Sequence, residues 1–356
     1  MSRLPDPEFW AGKRVLLTGH TGFKGSWAAV WLSEMGAHVT GYALPPASRP
    51  SLHDLLHKNG APGGQFGDIR DGEALATIAQ KSEPEIVLHM AAQPLVRESY
   101  AAPAETFDVN VMGTVRLLEA ARATPSVKAV LVVTTDKVYR NDESGRHFRE
   151  SDTLGGHDPY SGSKAACELA VATWRSAYLS GCGTRVATAR GGNVIGGGDF
   201  SADRLVPDVV RAALSGTRLN IRSPLATRPW QHVLDCLNGY FLFAEALYKG
   251  ESDVDALNFG PSPSEQAIPV RDVANAVQAA MGLDPEWDDV SALEQPREMR
   301  TLGLDPALAG DTLAWRPRLA QSQAIEWTAR WYDGWRRGEA ARQLTLDQIE
   351  AFTKGL

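Results

Sequence analysis

Residues 13–25 read Lys-Arg-Val-Leu-Leu-Thr-Gly-His-Thr-Gly-Phe-Lys-Gly, and Ser26 to Met35 continue as an amphipathic segment. Val15 to Leu17 make a short apolar strand, and glycines at 19, 22 and 25 carry the chain into a helix. A GxxGxxG string alone is a weak signal. Strand, glycine turn and helix in that order open a dinucleotide-binding α/β unit. Gly19 makes the tight turn, Gly22 lets backbone approach a pyrophosphate, and Gly25 lets helix and strand pack closely. The diphosphate would sit at the positive end of the helix. Thr21, Phe23 and Lys24 complete the cofactor loop, with Lys24 reading equally as a phosphate contact or a solvated lysine. No GKS or GKT follows, so the loop is not a P-loop.

The second strand, His38 to Tyr42, lacks the carboxylate that usually holds the adenosine ribose of NAD. The next acid, Asp54, lies beyond a proline-rich loop. Arg49 in that loop reads as a 2'-phosphate partner for NADP, but it has no fixed relation to the ribose, so NAD is preferred. Asp68 with the Ile69 backbone would meet the adenine, and Asp71 would cap the helix that follows. Glu85 to Met90 form a strand that leads into Ala91-Ala92, small enough for a ribose and nicotinamide to lie against backbone. Pro103 opens a helix with apolar spacing through Leu118, on which Asn110 is the odd polar residue.

Val130 to Val133 read as a buried parallel strand, and Thr134-Thr135-Asp136-Lys137-Val138-Tyr139 come directly after it. Ligands of open α/β sheets bind outside the carboxyl ends of the strands. Tyr160-Ser-Gly-Ser-Lys164 opens the next helix, and residues four apart share a face. The Gly- and charge-rich stretch 141–158 is suited to rim a cleft. After a strand at 184–189, Arg190-Gly-Gly-Asn193 and three further glycines cross into a second lobe. The expected fold is α/β: a doubly wound parallel (Rossmann) sheet over 11–194, with later contributions from about 232–260. A smaller, discontinuous C-terminal substrate lobe takes 195–231 and about 261–340.

The chain has 356 residues, 43% hydrophobic and 22% charged, as in globular proteins. Its formal charge of -7 argues against a broad nucleic-acid footprint. No run of eighteen apolar residues occurs, and residues 1–10 lack the apolar core of a signal peptide, so neither membrane nor secretion is expected. Cys167, Cys182 and Cys236 have no metal-ligand spacing, so no metal is expected, and they suit a reducing, cytoplasmic compartment. The tryptophans at 315, 327, 331 and 335 suggest a C-terminal packing face.

Tyrosine and lysine on one helical turn beside a nicotinamide cleft make an alcohol-oxidation system. An ammonium lowers the phenol's pKa so that it can take the hydroxyl proton, and Thr135 would orient the alcohol. Asp136 and Lys137 are surplus to oxidation. Once a sugar is oxidised at C4 its C5 proton is acidic; Lys137 would remove it while Asp136 protonates the departing C6 hydroxyl.

The strings GHTGFKGSW, GDIRD, HMAAQPLVRESY, TTDKVY, GGHDPYSGSK, NVIGGGD, DRLVPD and RPWQHV resemble the extended short-chain dehydrogenase/reductase family. The resemblance covers nearly the whole chain and points to the branch of nucleotide-sugar 4,6-dehydratases. A lysine at 137, where dTDP-sugar members carry glutamate, resembles members acting on CDP-glucose. It implies formation of CDP-4-dehydro-6-deoxy-D-glucose, a tightly held NAD, and Asn193, Arg204, Arg228 and His232 facing the nucleotide-sugar. It also implies a dimer, or beyond that a tetramer, built through helices near 103–123 and 160–178. A nucleotide-sugar 4-epimerase, or a dehydratase for another NDP-hexose, is the alternative. The sequence departs from the family pattern at Phe200, where a tryptophan is common.

Overall fold

The computed structural model describes residues 2–57, 64–292 and 301–355. Seven strands form one sheet: β1 (Arg14–Thr18), β2 (His38–Ala43), β3 (Gly64–Phe66), β4 (Ile86–His89), β5 (Ala129–Val133), β6 (Arg185–Gly191) and β7 (Ala256–Phe259). Their order is 7-6-5-4-1-2-3, with every pairing parallel. The order reverses between β1 and β4, which opens a crevice at their carboxyl ends.

The main helices are α1 (Phe23–Glu34), α2 (Gly72–Ser82), α3 (Gly113–Arg122), α4 (Pro159–Trp174), α5 (Leu205–Ser215), α6 (Val233–Lys249), α7 (Val270–Ala280) and α8 (Gln321–Arg336). Alternation along the strands divides the interior into two cores. Leu17, Leu88 and Leu131 share one with Trp31 of α1 and Phe241 of α6. Leu16, Val87 and Val130 share the other with Leu75, Leu118 and Val171 from α2, α3 and α4. Helices on both faces make the sheet doubly wound.

Two helices differ from their sequence patterns. Helix α1 is buried all round from Gly25 to Leu32, so it is not amphipathic. The C-terminal helix Ala341–Lys354 covers its outer side, where Phe352 meets Trp31 edge-on at 5.7 Å. The helix opened by Pro103 is interrupted by a π turn at Asp108–Met112 before α3 begins. That turn carries Asn110, whose Nδ2 donates to Ser163 Oγ on α4 (2.9 Å) and to Gln93 O (3.1 Å). Its Oδ1 accepts from Gln93 N at 2.8 Å. The odd polar residue therefore ties the loop after β4 to α4.

The second lobe carries α5, α7 and α8 and a parallel strand pair, Leu219–Ile221 with Trp287–Asp289. Residues 293–300, inside the expected lobe, lie outside the described residues. Trp315 and Trp331 are buried, and Trp331 stacks on Trp335. Its ring lies so close to Gly197 that a Cβ there would fall 2.0 Å away, so the glycine crossover is a packed seam. Segment 141–158 does not rim the cleft. Its strand His147–Phe148 pairs with Gly303–Leu304, and Phe148 stacks on Tyr139 at 5.0 Å. Among the described residues no helix is long and apolar enough to cross a membrane.

Candidate active site

A cleft at the carboxyl ends of β1, β4 and β5 is lined by Thr135, Asp136, Lys137, Tyr160 and Lys164 together. Asp136 to Val138 form a single 3-10 turn after β5. Thr135 Oγ1 donates to Asp136 Oδ1 at 2.9 Å and accepts from Lys137 N at 3.4 Å. Asp136 is 2% exposed, and its Oδ2 has no hydrogen-bond partner in the protein. Burial raises the pKa of this carboxyl, against the pull of Lys137, Thr135, Arg228 and Lys24.

Tyr160 and Lys164 project from the first turns of α4. Asp158 caps that helix, accepting from Ser161 N and Oγ, and Pro159 occupies its first position. Lys164 Nζ donates to Val133 O at 3.1 Å, and burial lowers its pKa. The Tyr160 phenol is pushed up to about 12 by burial, with the Thr135 hydroxyl and Arg204 pulling the other way. Burial outweighs the Thr135 hydroxyl and the Arg204 guanidinium, the groups that favour the phenolate.

The glycine loop is built as its spacing implies. Gly19 has φ +78, and a Cβ there would lie 2.7 Å from Ala91 N; one on Gly25 would lie 2.1 Å from Gly19 O. Gly22 differs: its Cβ would meet only Gly19 O, at an ordinary 3.4 Å. It is the N-cap of α1 and offers no side-chain cap, whereas α2 and α4 are capped by Asp71 and Asp158. An uncapped helix start with open space before it fits an anion. Thr21 Oγ1 donates to Leu44 O at the end of β2 (2.8 Å), and Phe23 and Ala92 line the cleft.

Two cofactor-side residues differ in detail from expectation. The half-buried Lys24 ammonium lies in the cleft over the Tyr240 ring at 5.9 Å, with its pKa lowered by burial. The Asp68 carboxylate is gripped by Arg70, at 2.6 Å to Nη2, which lowers its pKa. The Ile69 side chain is core, packed where a Cβ on Gly113 would fall 2.7 Å from it.

On the lobe side, Asn193, Arg204 and Arg228 line the cleft, with Arg204 held by Asp199 at 2.9 Å. His232 does not. It is 0% exposed, lies between the rings of Trp27 and Trp327, and caps α6 by accepting from Leu234 N. A histidine beside cleft-lining residues was expected to share their role, but its strand turns it into the core. Sequence reasoning missed Arg97 and Arg222, which line the same cleft and both pair with Asp203, at 3.5 and 3.0 Å. Arg97 lies within HMAAQPLVRESY; Arg222 carried no sequence signal. Among the described residues no cluster suits a metal ion.

The chain is 43% identical over 340 residues to CDP-glucose 4,6-dehydratase of Salmonella typhimurium, covering 94% of each chain. It is 29% identical to dTDP-glucose 4,6-dehydratase of Xanthomonas campestris, over 94% of this chain and 98% of that one. Among solved structures it resembles UDP-glucose 4-epimerase of Thermus thermophilus in complex with NAD. There the TM-score is 0.76 at 26% identity, covering 90% of this chain and 99% of the other. The model of one family spans residues 15–259, from β1 to the end of β7. The chain belongs to the NAD dependent epimerase/dehydratase family.

Proposed function

We propose that this protein converts CDP-D-glucose to CDP-4-dehydro-6-deoxy-D-glucose and water, with NAD as resident cofactor. The observation that carries this reading is the Asp136–Lys137 pair in the same cleft as Tyr160 and Lys164. A 4-epimerase needs the second pair alone; loss of the C6 oxygen needs both. The Salmonella relative, named for this substrate, supports the nucleotide.

The residues present fit the cofactor. The loop from Gly19 to Gly25 would hold the diphosphate, Asp68 and Ile69 the adenine end, and Ala91, Ala92, Tyr160 and Lys164 the nicotinamide end. When bound, NAD supplies a hydride acceptor that is restored within each cycle. Tyr160 takes the C4 hydroxyl proton, which Thr135 orients. The Thr135 hydroxyl and Arg204 pull the phenol toward the ionised form that this step needs. Lys137 removes the C5 proton. Asp136, whose carboxyl burial shifts toward the protonated form that an acid needs, gives a proton to the C6 oxygen, which leaves as water. The product regains hydrogen at C5 and C6. Asn193, Arg204 and Arg228 would hold the nucleotide diphosphate.

In this reading residues 11–194, with 232–260, hold the cofactor, and 195–231 with 261–340 hold the substrate. A homodimer through the helices near 103–123 and 160–178 is supported by exposed Phe107, Met112, Leu169 and Tyr178 on them. Three cysteines free of disulfides agree with a cytoplasmic enzyme. The deciding experiment offers the protein CDP-, dTDP-, UDP- and GDP-glucose. The CDP sugar should yield a product lighter by one water and absorbing in alkali. Four unchanged substrates with the cofactor site filled would overturn the proposal.

A further inference from the structure

Glu168 lies four residues beyond Lys164 on α4, on the same face. It forms a buried ion pair with Arg190 of β6, the two side chains being 4% and 5% exposed. Its carboxylate accepts four hydrogen bonds. Thr134 Oγ1 (2.5 Å) and Arg190 Nε (3.0 Å) donate to Oε1; Thr188 Oγ1 (2.7 Å) and Arg190 Nη2 (2.8 Å) donate to Oε2. Arg190 Nη1 donates onward to the Tyr139 hydroxyl at 2.8 Å, which itself donates to Asn258 Oδ1 on β7 at 2.7 Å. A buried ion pair is weak evidence for stability as such, since a well-packed apolar pair often serves as well. What this one specifies is read from the positions it reaches.

The turn carrying Asp136 and Lys137 runs from 136 to 138. Thr134 precedes it and ends on Glu168; Tyr139 follows it and ends on Arg190. One ion pair therefore brackets the turn at both ends. One backbone bond of the turn, Val138 N to Thr135 O, is a long 3.4 Å. The same ion pair belongs to the helix that carries Tyr160 and Lys164, and Lys164 Nζ donates to Val133 O, one residue before Thr134. The two halves of the site thus share one support.

We propose that Glu168 and Arg190 form a positioning pair that sets the elimination residues Asp136 and Lys137 against the oxidation residues Tyr160 and Lys164, with the Tyr139 hydroxyl as its arm to the far end of the turn. The inference rests on the functional reading above and assigns roles that nothing in that reading requires.

The test is Tyr139→Phe in the full chain with NAD bound, mixed rapidly with CDP-glucose. The substitution keeps the ring that stacks on Phe148 and leaves the Glu168–Arg190 bonds in place. Appearance of reduced nicotinamide follows oxidation; loss of water and uptake of solvent deuterium at C5 follow elimination. Oxidation should stay within about twofold of wild type. Elimination should slow by about tenfold or more, the cost of misplacing a reacting group by a fraction of an ångström. The reduced cofactor should then accumulate, and kcat should fall with KM unchanged. Thr134→Val, which cuts the near arm, should give the same imbalance and serves if Tyr139→Phe fails to fold. Phe148→Leu, which weakens the stack alone, should lower the melting temperature without changing the ratio of the two steps. Equal slowing of both steps by the arm variants, or no change in either, overturns the positioning role. A wild-type protein that neither reduces its cofactor nor loses water overturns the functional reading, and the positioning role with it.

Discussion

Alanine at Gly25 and alanine at Gly22 should have opposite consequences, although the two glycines belong to one loop. A Cβ on Gly25 would lie 2.1 Å from Gly19 O and 2.7 Å from Gly19 C, both backbone atoms that no rotamer change can move. Loop and helix would have to part by more than an ångström, an overpacking cost of about 1–3 kcal/mol. At Gly22 the same methyl meets only Gly19 O at 3.4 Å, and φ is -77. The weaker N-cap is offset by a less flexible unfolded chain, so Gly22→Ala should change stability by under about 0.5 kcal/mol. Its methyl should, however, enter the space proposed for the cofactor diphosphate, and tenfold weaker NAD binding corresponds to about 1.4 kcal/mol. Thermal unfolding with and without NAD separates these effects. At NAD one hundred times the wild-type Kd, wild type gains about 2.7 kcal/mol and Gly22→Ala about 1.4. Equal destabilisation of the two variants without NAD, or an undiminished NAD-induced rise in Gly22→Ala, would refute the assignment of that space.

Lys137→Met should still reduce the bound cofactor with CDP-glucose but stall before water loss; full turnover would show that Lys137 is not the base. Acid should destabilise the fold through two buried histidines. His89, between the hydroxyls of Thr18 and Thr114, and His232 are both held down to about 3 by burial. Because these folded-state values lie below the ordinary 6.5, their stabilisation is complete above that pH and is lost as pH falls from 6.5 toward 3. Each should withdraw about 2 kcal/mol by pH 5. Urea unfolding at pH 7 and pH 5 measures this, and an unchanged midpoint would contradict it. Leu169→Glu should convert a dimer to monomers in sedimentation without altering the far-ultraviolet circular dichroism; an unmoved sedimentation coefficient would remove that helix from the interface.

The sheet was legible because its strands are short apolar runs punctuated by glycine and by helix caps. Val130 to Val133, the glycines at 19 and 25 and the Asp71 cap lie where their local chemistry puts them. What the sequence concealed depends on packing from distant segments. Helix α1 lost its expected polar face because the C-terminal helix covers it. His232 carries no local mark distinguishing a cleft contact from a residue between two indoles. Lys24 was ambiguous because a lysine after a glycine turn can follow the backbone or swing into the cleft; only the place of Tyr240 decides. Glu168 was detectable in principle, since it lies one turn beyond Lys164, but its partner Arg190 is a whole strand away.

The π turn at Asp108–Met112 makes the length of its helix a parameter of the active site. A π turn holds one residue more than the α turn it replaces. Deleting any single residue from 108 to 112 would let the helix close into regular α geometry, with hydropathy and helical content almost unchanged. The flanking segments would keep their mutual orientation, since one turn replaces one turn, but Asn110 would be removed or displaced within the turn and could no longer reach both Gln93 and Ser163. By sequence alone such a deletion would rank as mild. In this fold it would uncouple the loop after β4 from the helix of Tyr160, so insertions and deletions here should be judged by residue count rather than by residue type.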